Sequence, residues 1–168
     1  MKKYIITDIG RDMDRGVLER IGLGIRSLDT DMKLNVYCED DMEYIDGDKA
    51  RKNGDIIEGE LYIEDADFGK KTDLKLQHKW TRLEISRVSP YIEVVVKVTR
   101  ILDDYTICGI TDFIEEEIPI KMYIVNDKNK NTNKKLFKEG DTILLSRATL
   151  CLDILGYEKR LREYCGLD

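Results

Sequence analysis

The chain has 168 residues, 37% of them charged against a usual quarter, and a formal net charge of −6. That length holds one ordinary domain or two small ones that lean on each other, and the acidic balance argues against clamping nucleic acid by bulk electrostatics. No apolar run reaches the roughly eighteen residues of a bilayer span, and the opening Met1-Lys2-Lys3-Tyr4-Ile5-Ile6-Thr7-Asp8 meets an acid before a signal-peptide core develops.

Residues 4–13 read as a first strand, Asp14-Arg15-Gly16 as a turn and residues 17–25 as the return. Leu18, Ile21 and Ile25 also fit a helical period. Gly16, Gly22 and Gly24 would each cost such a helix about 1 kcal/mol relative to Ala, which favours a strand with a glycine bulge or kink. Residues 32–39 alternate Met32, Leu34, Val36 and Cys38 against polar neighbours, the period of a half-buried strand. A polar connection (40–53), a Gly54-Asp55 turn and a strand over 56–63 follow. Residues 74–85 fit two periods: Leu74, Leu76, His78 and Trp80 alternate, whereas Leu76, Trp80 and Leu83 would line a helix. A strand is the expectation there.

Pro90 breaks the run near the middle of the chain. Residues 91–102, rich in Val and Ile, the Asp103-Asp104 turn and residues 105–113 form a predicted hairpin. A third strand over 118–125, a basic asparagine-rich loop over 126–138 and a fourth strand over 142–152 follow. Tyr157, Leu161, Tyr164 and Cys165 share a helical face, Glu158 and Arg162 can pair, and Gly166 can end the helix, so a short C-terminal helix is expected.

The two halves carry a common pattern at a fixed offset of 86 residues. Identities fall at Tyr37/Tyr123, Asp41/Asp127, Lys49/Lys135, Lys52/Lys138, Gly54/Gly140, Asp55/Asp141 and Ile57/Ile143. This predicts an internal duplication and a mainly β chain of two tandem small barrels, residues 1–88 and 89–168, the second ending in the helix. Hairpin, third strand, variable loop and a Gly-Asp turn into a long strand resemble the oligonucleotide/oligosaccharide-binding fold, most closely over residues 91–152. A fifth strand is missing from the second unit unless residues 150–155 bend to supply it.

Little here points to chemistry. Cys38, Cys108, Cys151 and Cys165 are far apart and lack Cys-x-x-Cys spacing; three sit in apolar strands and read as small buried hydrophobes. With His78 the only histidine, no zinc-type set is expected, and neither a metal nor another cofactor is implied. His78 reads as a strand-face residue rather than a catalytic base. Adjacent acids such as Asp103-Asp104 point apart and read as solvated, and no phosphate loop, dinucleotide fingerprint or nucleophile elbow occurs.

The expectation is therefore a non-catalytic cytoplasmic interaction protein, of inhibitor, immunity or adaptor type, whose acidic surface engages a basic protein and not a membrane. The alternative is single-stranded DNA or RNA binding. It would use Lys128, Lys130, Lys134, Lys135 and Lys138 for phosphates, with Phe113, Tyr123 and Phe137 stacking bases, as barrels of the resembled fold hold single strands. A small-ligand-binding or enzymatic role ranks third.

Overall fold

The computed structural model describes residues 2–14, 17–38, 51–67, 69–81, 88–122 and 136–154, with the backbone alone described over 11–14 and 17–21. The chain is mainly β, with no helical element among the described residues. Its strands are β1 (Lys2–Asp14), β2 (Val17–Ser27), β3 (Lys33–Tyr37), β4 (Ile56–Ala66), β5 (Lys70–Lys71), β6 (His78–Trp80), β7 (Tyr91–Ile101), β8 (Thr106–Ile110), β9 (Ile118–Met122) and β10 (Thr142–Asp153). They follow the order β5-β10-β3-β2-β1-β4-β9-β8-β7-β6, and β10 also pairs with β4 and β7. The β10–β7 pairing closes an eight-strand β-barrel and, among the described strands, leaves the short β5 and β6 as edges, which limits unpaired backbone. This is a small barrel resembling the expected fold.

Contacts divide the described residues into two units that interleave along the chain. The first takes residues up to Leu61, Trp80–Tyr91 and β10 from Leu150 onward; the second takes Tyr62–Lys79 and Ile92–Thr149. In the first unit β1 pairs antiparallel with β2 (Tyr4↔Ser27, Ile6↔Ile25) and with β4 (Tyr4↔Ile57), and β2 pairs with β3 (Leu23↔Val36). The spatial order β4-β1-β2-β3 is a Greek key. The end of β10 lies parallel to β3, with Cys151 opposite Tyr37, and acts as fifth strand. Tyr4, Ile6, Leu23, Ile25, Leu34, Val36, Ile57 and Leu150 are buried as its core.

Residues 17–25 are strand, not helix, but the β1–β2 register slip between Ile6 and Asp8, opposite Ile25 and Gly24, leaves Thr7 of β1 as the extra residue, so this bulge lies on the partner strand and not at a glycine. Gly22 answers a different need: a Cβ there would lie 2.5 Å from the Val88 carbonyl oxygen.

The second unit repeats the key. β7 pairs with β8 (Lys97↔Ile110), β8 with β9 (Ile107↔Ile120), and β10 begins against β7, where the Val98 amide donates to Asp141 O at 2.8 Å and the Gly140 amide to Val98 O at 2.7 Å. Its fifth strand is the end of β4, parallel to β9 with Ile63 opposite Ile120. Residues 150–153 therefore complete the first unit and not the second. The reason is length: β4 and β10 run 11 and 12 residues, about twice the usual strand, so each serves one unit at each end.

Cys38, Cys108 and Cys151 are buried thiols that form no disulfide among the described residues. Of the strand expected over 74–85 only β6 forms among the described residues. The predicted helix over 157–165 and Cys165 lie outside them, as do residues 123–125 at the end of the third predicted strand.

Candidate functional site

The two Lys-x-Gly-Asp segments form matching turns. Gly54 and Gly140 take φ of +94° and +91°, a left-handed conformation that glycine adopts without the Cβ penalty. The Lys52 amide donates to Asp55 Oδ2 at 2.9 Å and the Lys138 amide to Asp141 Oδ2 at 2.8 Å. Asp55 and Asp141 amides donate back to the Lys52 and Lys138 carbonyls, both at 3.1 Å. In the second unit Lys71 Nζ also reaches Asp141 Oδ2 at 3.4 Å. The Lys138 amide, with the charges of Lys71 and Lys138, holds the Asp141 carboxyl below its usual pKa.

A group whose folded pKa is depressed stabilises the fold above its unfolded value and loses that contribution as pH falls through the folded one. Asp141→Asn should therefore lower stability near neutral pH and flatten the loss of stability below the usual carboxylate range. Urea titrations of both proteins across that range will read it; identical pH profiles would remove Asp141 from the account.

Between β4 and β7 the chain lays a strap across the second unit. The Asp67 amide donates to Arg147 O, β5 pairs with β10 (Leu144↔Lys70), and the Thr72 amide donates to Thr142 O, the two amide bonds at 2.9 Å. On the return, Val95 N–H donates to Gln77 O and Thr81 N–H to Tyr91 O, both at 2.9 Å, a spacing that sets Lys79 opposite Glu93.

His78 fixes the strap. Its Nδ1 stands 2.7 Å from Asp112 Oδ2, and its ring meets Phe113 edge-on at 5.4 Å and 89°. The carboxylate can only accept, so Nδ1 carries the proton in this contact. Gln77, His78 and Lys79, with Glu93 and Val95 of β7 and Leu144 of β10, line a cleft of about 140 Å³. No hydroxyl or thiol is among these lining side chains. The His–Asp pair can thus orient a group or hold a proton, but the cleft offers no Ser, Thr or Cys for acyl transfer.

The first unit presents a second feature. On its outer sheet face Ile5 stands opposite both Arg26 and Ile56. Ile56 is 61% exposed, and Leu28, whose amide donates to Lys3 O, is 46% exposed. Ion pairs Lys3–Glu58, Lys2–Asp29 and Arg26–Asp31 surround these apolar residues.

Of the side chains expected to bind nucleic acid, Phe113 and Phe137 are each 4% exposed and belong to the core, so neither offers a face to a base. Lys138 is exposed. Tyr123, Lys128, Lys130, Lys134 and Lys135 lie outside the described residues. The structure adds His78 with Asp112, which sequence reasoning set on a strand face without a partner; a partner 34 residues away leaves no local signal. No family model, no curated protein and no solved structure matches the chain.

Proposed function

We propose that this chain is a non-catalytic cytoplasmic binding protein, built from a duplicated unit, that engages a basic protein partner. The observation that carries the reading is the outer face of β2, β1 and β4, where Ile56, Leu28 and Ile5 form an apolar centre within a charged rim. That distribution is the one protein interfaces use. The net charge of −6 favours a partner of opposite sign and steers its approach. Duplication is supported by the matched turns at Gly54 and Gly140, and by two Greek keys whose long strands β4 and β10 start at the same offset of 86 residues as the sequence identities.

The test is a complex with one basic protein at fixed stoichiometry. Its association should slow with salt, and Leu28→Asp with Ile56→Asp should weaken its affinity by about a hundredfold, the scale of losing two central anchors. A partner whose affinity ignores both substitutions would remove this face from consideration. Single-stranded nucleic acid bound at low salt in place of a protein would favour the runner-up, for which the exposed Lys138 at the entry to β10 is the described observation.

A further inference from the structure

The geometry points to the cleft between β6, β7 and β10 as a binding site for a single small α-amino acid in its zwitterionic form. This inference is independent of the protein-partner reading, since every lining residue belongs to the second unit.

The argument begins with two charges that do not neutralise each other. Lys79 and Glu93 are cross-strand neighbours of opposite sign, the arrangement that usually ends in an ion pair on a sheet. Among the described residues no ion pair joins them and neither has another polar partner, yet both line the same cleft. Lys79 is exposed and Glu93 half-buried, so the cleft carries one fixed cation and one fixed anion on its walls. Its apolar lining comes from Val95, which is fully covered, and from Leu144 of β10, beside the His78 imidazole. Gln77 adds an amide able to donate and accept.

Size narrows the ligand. A cleft of about 140 Å³ falls below the roughly 300–1,000 Å³ of sites for drug-sized molecules. It excludes a nucleotide or a peptide of several residues and admits a molecule of a few heavy atoms. A compact ligand that satisfies a cation and an anion together must itself carry both charges. An α-amino acid does so on one carbon, with its carboxylate toward Lys79, its ammonium toward Glu93 and a short side chain over Val95 and Leu144. Two charge-assisted contacts of opposite sign give the selectivity.

The cleft is also held in shape before any ligand arrives. His78 lies between Gln77 and Lys79, and its bond to Asp112 and edge contact with Phe113 fix the strap residues that form one wall. A wall fixed in advance lowers the ordering cost of binding.

Isothermal titration of the full chain with glycine, alanine and valine tests the proposal, with acetate and ethylamine as probes carrying one charge each. The expected result is saturable binding of at least one amino acid and none of the single-charge probes. Lys79→Met and Glu93→Gln should each weaken it at least tenfold while leaving the far-UV circular dichroism and melting curve unchanged. Lys79 is exposed and Glu93 half-buried, and both replacements keep the size of the side chain, so folding is preserved. Failure of all three amino acids to bind overturns the proposal. So does binding that both substitutions leave intact, which would put the amino acid elsewhere. Equal binding of acetate, with Glu93→Gln without effect, also overturns it by reducing the site to a carboxylate subsite.

Discussion

Expressed separately, residues 1–88 and residues 89–168 should each lack a cooperative unfolding transition, whereas the intact chain melts as a folded protein. The first half keeps β1 to β4 but loses Leu150, Cys151 and Leu152, which are buried at 0%, 0% and 2% exposure within the first unit. The second half keeps β7 to β10 but loses Tyr62, Ile63 and Ala66, buried at 6%, 0% and 0% in the second unit. Each large apolar side chain contributes about 1.5–3 kcal/mol on burial. Removing a strand that carries several of them takes away a large share of the roughly 5–15 kcal/mol that holds a domain together. The loss also leaves β3 in one half and β9 in the other with an unpaired apolar edge, a template for aggregation. Circular dichroism melts of each half, alone and mixed, give the answer. A half that melts cooperatively by itself would show that its fifth strand is dispensable. Recovery of native signal on mixing would show that the missing strand alone prevented folding.

That expectation could not have come from the sequence, although most of the strands did. Alternation of Leu34, Val36 and Cys38, and the β-branched run of residues 92–98, marked β3 and β7 because a strand writes its burial into neighbouring positions. The strand over 17–25 was legible because Gly16, Gly22 and Gly24, three glycines within nine residues, are too costly for a helix. Which unit a strand completes depends on pairing between residues far apart in sequence, and neither Ile63 opposite Ile120 nor Cys151 opposite Tyr37 carries a local signature. Phe113 and Phe137 looked like stacking platforms because aromatic residues near a basic loop often are. Composition cannot distinguish an aromatic that faces solvent from one that faces the core. The cleft was hidden twice over, since Lys79 and Glu93 become neighbours only through the strap, and His78 acquires meaning only beside Asp112.

Gly69→Ala should be among the most destabilising single-methyl additions in the chain, and its effect should be confined to the strap. A Cβ at Gly69 would overlap the carbonyl oxygen of Leu144 and lie 3.0 Å from both the Leu144 carbonyl carbon and Leu145 Cδ2. The first obstacle is backbone, which cannot rotate aside as a side chain can. Leu144 is held in register opposite Lys70, and Leu145 is fully buried, so neither β5 nor β10 can retreat without breaking the ladder or the core. Overpacking of this kind costs about 1–3 kcal/mol. Gly54→Ala provides the contrast. Nothing lies within 4 Å of its added methyl, and the cost there is the strain of φ +94°, about 1 kcal/mol, paid at a turn in the other unit. Amide exchange distinguishes the two mechanisms. Gly69→Ala should speed exchange at Thr72, whose amide donates to Thr142 O, while Gly54→Ala should speed it at Gly54's own neighbour Asp55, whose amide donates to Lys52 O. If Gly69→Ala left both the melting temperature and Thr72 protection unchanged, the strap would not be pressed against β10 as described. The cleft that depends on this contact would then lose the Leu144 side of its floor.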